Sequence, residues 1–132
     1  MRSRPALESA DVQKMMAACK ADAQKNNWKV TIAIVDDSGA ALLVERMDGA
    51  GPISAKVAMD KALTSALTRR PTKFWEDRVK EKPAFATFPA GAMFQGGLPL
   101  MHQGECVGAI GVSGVQSHED EQVAQAGVAA LG

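Results

Sequence analysis

The sequence predicts an α+β protein, a central antiparallel sheet of four to five strands flanked by helices. Three observations carry this prediction. Val30, Ile32 and Ile34, then Leu42 and Val44, form two β-type runs joined by Asp-Asp-Ser-Gly, a strong turn sequence. A second pair of runs, LPLMHQ and ECVGAIGVSG, meets at a tight Gln-Gly turn. Segments of helical periodicity precede, separate and follow these pairs. Hairpins make antiparallel neighbours, and the helices must then cover the faces of the sheet.

The elements follow in order. Ser9 is placed to cap a helix over roughly 10–26, in which Val12, Met15, Met16, Cys19 and Ala23 recur at helical spacing. The first hairpin comes next. Pro52 suits the start of a second helix, ISAKVAMDKALTSALTRR. Ala55, Ala58, Ala62 and Ala66 give it a stripe of small residues. Pro71 ends it, and Thr72 is placed to cap the short helix KFWEDRVKE. Residues 81–95 hold two prolines and little periodicity, which predicts a loop with room for one short strand. After the second hairpin, Ser117 with Asp120 resembles a capping box, and acidic residues fill the first turn of SHEDEQVAQAGVAALG.

Composition narrows the function. The 132 residues form one expected domain, 46% hydrophobic and 23% charged, with zero formal net charge. That balance leaves no basic footprint for nucleic acid or an anionic membrane. No apolar run spans a bilayer, and no apolar segment follows the arginines of MRSRPALESADVQ, so a cytoplasmic protein is expected. Two cysteines far apart, Cys19 and Cys106, fit a reducing compartment. No dinucleotide fingerprint, P-loop, nucleophile elbow, zinc-ligand spacing or C-x-x-C-H motif occurs. A Ser113–His118 pair reads more simply as a turn serine and a first-turn histidine.

Several residues remain as candidates. Six glycines crowd residues 96–114, and His102 sits among them. On the period of two it shares a face with Leu98 and Leu100, either as a half-solvated strand-end residue or as a ligand. In ERMDGAG, Arg46 and Asp48 can hold a carboxylate or pin the loop. Lys61, among small residues, is a snorkelling surface lysine or the cation of a shallow cavity. Arg69, Arg70 and Lys73 form a solvated basic face or an anion site.

Taken together, VTIAIVDDSGAALLVERMDGA, SAKVAMDKALTSA, GGLPLMHQGECVGAIGVSG and EDEQVAQAG resemble the GlcG/HbpS family, which includes the haem-binding C-terminal domain of PduO-type proteins. The resemblance runs from about residue 7 to residue 131. It implies a sandwich of helices on an antiparallel sheet, a homo-oligomer, and haem or tetrapyrrole as cofactor. Matched to the family's shared pocket motifs are Arg46, Asp48, Lys61, Thr64, Gly96, Gly97, Pro99 and Asp120. The pocket is expected at the GG-x-P sheet edge. No family histidine maps onto His102, which is therefore this chain's own candidate for the haem iron, with Met47 and Cys106 as weaker ones. Arg46, Lys61 or the Arg69/Arg70 pair would then meet the propionates. The competing reading is a catabolic enzyme that holds a substrate carboxylate on Arg46 or Lys61, with Asp48 or Asp120 as general acid or base. A third is an oligomeric structural protein.

Overall fold

Alternation along the strands divides the interior into two unequal layers. In strand β1 (Thr31–Asp36), Ile32 and Ile34 point one way, and Thr31, Ala33 and Val35 the other. Strand β4 (Glu105–Ser113) repeats the pattern, with Ile110 and Val112 against Ala109 and Gly111. The computed structural model, which describes residues 1–132, pairs these strands in one antiparallel sheet of four. The order is β2-β1-β4-β3, where β2 is Ala41–Arg46 and β3 is Gly97–His102.

The bulky face packs on helices α1 (Ser9–Lys25) and α4 (Ser117–Leu131), burying Met15, Cys19, Ile32, Leu100, Ile110 and Val123. Each such Ile, Leu or Met contributes about 1.5–3 kcal/mol, against about 0.8 for an alanine methyl, so this layer carries most of the stability. The other face packs on α2 (Ile53–Thr68) through Ala58, Ala62 and Ala66. Here closeness replaces bulk. A Cβ on Gly111 would lie 2.1 Å from the Ala58 carbonyl oxygen and 2.5 Å from the Ala62 nitrogen. The glycine-rich strand and the alanine stripe therefore account for each other. Ala55 is only half-buried, and Ser54 fills its expected place, its Oγ 2.8 Å from Thr31 Oγ1.

Turn chemistry fixes both hairpins. Asp36 Oδ1 accepts from the backbone of Ser38 (2.8 Å) and Ala40 (3.0 Å), and Gly39 takes φ +87°. Gln103 and Gly104 both have positive φ, 50° and 80°, as a two-residue primed turn requires. Pro99 lies on edge strand β3, where a missing donor is tolerated.

Three local expectations are corrected. Glu8, not Ser9, caps α1, in a reciprocal box with Asp11. Gln116 with Glu119, not Ser117 with Asp120, caps α4, and this frees Asp120 for another role. Thr72 is the first residue of α3 (Thr72–Glu81) and is no cap: its Oγ1 accepts from Gly97 N at 2.8 Å. Residues 81–95 contain no strand. They hold a 3₁₀ turn, Pro83–Thr87, which opens on a proline at its first position, and no strand of the sheet pairs with them. No helix is long and apolar enough to cross a membrane.

Candidate functional site

Strand register sorts the candidate residues by end of the sheet. Arg46 lies opposite Thr31, which lies opposite Ser113, and Gly97 lies opposite Gly111. Arg46, Asp48, Lys61, Gly96, Gly97 and Asp120 therefore collect at one end. His102 pairs with Glu105 at the other. Five residue steps of strand separate Gly97 from His102, about 17 Å. One chain cannot aim Lys61 and His102 at the same small group.

At the first end, Lys61 is neither a snorkelling residue nor a cavity wall. It is 1% exposed, and its ammonium donates to Val112 O (2.9 Å) and to Asp120 Oδ2 (3.1 Å). The Phe94 ring covers the remaining side, its centroid 4.9 Å from Nζ. Asp120 also accepts from Val115 N at 3.1 Å. Since α2 and α4 lie on opposite faces, this ion pair is a clasp around the start of β3. Gly96 leaves the passage open: a Cβ there would sit 2.5 Å from Lys61 Nζ. Burial lowers the Lys61 pKa, with Asp120 opposing the shift, and burial raises that of Asp120, with Lys61 opposing it.

The expected pocket at GG-x-P is filled from within. A Cβ on Gly97 would meet Lys61 O at 2.6 Å and Ser65 Oγ at 2.9 Å. Thr64 is a clip: its Oγ1 donates to Asp60 O (3.2 Å) and accepts from Gly91 N (2.8 Å). Pro99 is half-buried against its partner Ala109.

Arg46 and Asp48 border an open polar cleft of about 350 Å³ shared with Lys20, Gln24, Lys29, Glu45 and Met47. Arg46 Nε donates to Ala50 O at 3.0 Å, so it does pin its loop while bordering the cleft. The other basic residues are engaged. Arg69 caps α2 in a left-handed conformation and donates to Asp37 O and Ala66 O. Arg70 stacks on Phe74 at 4.2 Å, and Lys73 pairs with Glu76 and Asp77. Cys106 is buried, with Sγ against Gly108 O. Ser113 and His118 make no hydrogen bond, and His118 is exposed.

His102 is exposed at the strand end and lines a groove of about 220 Å³. Pro5, Ala6, Leu7, Val107 and Leu131 form its apolar wall, and Asp11 adds a carboxylate. Among the candidates, it alone sets an accessible imidazole beside apolar surface. The groove depends on the N-terminal segment folding back over β4, which no periodicity announces.

Sequence reasoning also missed the aromatic cluster. Phe74, Trp75, Phe85 and Phe88, four of the chain's six aromatics, pack together on α3 and the 3₁₀ turn. Their density in one short stretch was the available signal.

Fold and site together define a small α+β protein with an exposed histidine beside a surface groove. The chain belongs to the HbpS-like family: the model of that family, described as "Haem degrading protein HbpS-like", matches residues 7–129. It is 42% identical to protein GlcG of Escherichia coli K12 over 114 residues, covering 86% of this chain and 85% of that protein. It is 28% identical to the corrinoid adenosyltransferase PduO of Salmonella typhimurium, matching 39% of that longer protein. Among solved structures, a double mutant of HbpS from Streptomyces reticuli superposes with a TM-score of 0.93 at 34% identity, covering 100% of this chain and 91% of that one. The structure of a PduOC–haem complex superposes with a TM-score of 0.87 at 28% identity, covering 96% and 95%.

Proposed function

We propose that this protein binds haem or a related tetrapyrrole, with His102 as the residue that would hold its metal. The observation that carries the reading is the groove at the end of β3, where an exposed imidazole stands beside the apolar side chains of Leu7, Val107 and Leu131. Neutral imidazole donates a lone pair to iron, and apolar surface suits the edge of a macrocycle. Membership of a family described by haem degradation, and likeness to a PduOC–haem complex, support the same ligand class. When bound, haem would supply redox-active iron. The residues named here would hold it and limit water beside it.

The groove is smaller than the 300–1,000 Å³ usual for an enclosing small-molecule site, so it takes one edge of the ligand. A homo-oligomer would cover more of it, and the exposed Leu42, Val44, Ile53 and Leu67 provide apolar surface for self-association. A cytoplasmic location completes the reading. Lys61 and Asp120 have no part in ligand binding here, since each already satisfies the other.

The test is a haem titration by absorbance, wild type beside His102→Ala. A saturable one-to-one Soret shift, lost or displaced in the variant, is the expected result. A wild type without a saturable shift overturns the haem reading. An unchanged variant overturns His102 as ligand.

A further inference from the structure

The aromatic cluster does no work in either core layer, since neither contains any of its four rings. Trp75 anchors it, 9% exposed, with Nε1 donating to Thr68 Oγ1 at 2.9 Å. Phe88 lies nearly parallel to Trp75, 4.9 Å between centroids and 23° between planes, yet remains 38% exposed. Phe85 tilts beside both, at 5.8 Å and 6.0 Å. The stack thus ends in a ring that presents apolar surface to solvent. Phe85 and Phe88 line a groove of about 320 Å³ with Ala84, Thr87, Pro89 and Lys82.

Lys82 is the one charged residue that lines this groove. Lys82 reaches within 5.8 Å of the Phe85 centroid and has no acidic partner. Arg78 stands 5.1 Å from the same ring, with Glu81 as its exposed partner at 3.5 Å. An offset-stacked ring continues the aromatic column at no cost to the fold, and a cation at its rim selects a negatively charged substituent.

We propose that the groove on the 3₁₀ turn, backed by Trp75 of α3, is a second binding site, which stacks planar aromatic molecules bearing a carboxylate on Phe88 and holds their charge with Lys82. It lies in the layer on the α2 side of the sheet, whereas the His102 groove is built from α1, α4 and the face they cover. The site therefore goes beyond the haem reading and needs no iron.

Fluorescence tests it in the full-length protein. With Trp28→Phe as background, Trp75 is the only indole. Titration with 1-pyrenebutyrate is expected to quench it saturably. Phe88→Ala should weaken binding about tenfold, and Phe88→Leu, which keeps apolar bulk without the ring, should weaken it nearly as much. Lys82→Gln should weaken pyrenebutyrate several-fold and leave the uncharged 1-pyrenemethanol unchanged. Binding indifferent to both Phe88 variants overturns the proposal. So does dissociation of an oligomer by Phe88→Ala in sedimentation, which would make the patch a contact between copies. His102→Ala should not move the pyrene titration, so failure here and failure of the haem reading are distinguishable.

Discussion

Removing the Lys61 ammonium gives the sharpest test of how this fold is held. In Lys61→Met the apolar stem is kept, but the 2%-exposed Asp120 carboxylate is left with Val115 N as its one donor, and Val112 O loses a donor. Breaking a buried pair in this way costs about 3–5 kcal/mol, because the surviving charge is uncompensated. For a chain of this length, that corresponds to a fall in Tm of roughly 10–20 °C. Removing both charges, in Lys61→Met with Asp120→Leu, should restore much of the loss, since no orphan ion remains. The sign with pH follows from Asp120. Burial already raises its pKa, and without Lys61 the opposing attraction disappears. A carboxyl whose folded pKa is raised favours the folded state at low pH and loses that advantage as pH rises through it. The single variant should therefore close part of its gap to wild type as pH is lowered. Urea unfolding of wild type, both single variants and the double variant, at neutral and mildly acidic pH, measures all of this. A loss below about 1 kcal/mol in Lys61→Met, or a double variant as unstable as the sum of the singles, would refute the clasp.

Other expectations can be checked alongside. Gly111→Ala should cost roughly 1–3 kcal/mol or more by forcing α2 off the sheet, while Gly51→Ala, where a Cβ meets nothing within 4 Å, should lie within about 0.5 kcal/mol of wild type in the same denaturation assay. Glu76 has a lowered pKa, first because Gln95 N donates to it and then through Lys73. Its stabilisation is present above the ordinary value of 4.5 and is lost as pH falls through the lowered one. Glu76→Gln should accordingly flatten the acid limb of the stability curve. Burial pushes the Cys19 thiol up to about 12, so Cys19 should react with a thiol reagent only at the rate of unfolding, read by mass spectrometry of labelled peptides. Arg46→Gln should leave the Soret titration unchanged if each haem is held within one chain, because Arg46 lies at the sheet end opposite His102.

Local chemistry made the framework legible. Asp36, Ser38 and Gly39 spell a turn in any context, and the alternation of Ile32 and Ile34 with Ala33 requires one bulky and one close-packed face. Helix starts were misread by one residue because a glutamate or glutamine just ahead of the serine makes the same reciprocal bonds, as Glu8 and Gln116 do. Lys61 was beyond local reading. A lysine among alanines looks solvent-facing, and its burial depends on Asp120, 59 residues later, and on the missing side chain of Gly96. Residues 81–95 gave no period because single bonds order their surroundings: Gly91 N to Thr64, Ala92 N to Asp60 O and Gln95 N to Glu76.

The crowding of glycines and the imidazole among them thus have separate explanations. Gly96, Gly97 and Gly111 are small because α2 and its lysine need the space, which removes the one place where the motif pattern alone would put a ligand. Once Lys61, Thr64 and Asp120 are committed to holding layers and loops together, substituting them should lower stability before it changes specificity. On the two proposals above, ligand chemistry falls to groups the fold does not use for itself. His102 is one, exposed on a strand end beyond the last core residue of β3, and the outer face of Phe88 is another. Both sit where the backbone is already fixed by neighbours, β4 in one case and the Trp75 stack in the other, so a ligand can bind without asking the fold to rearrange.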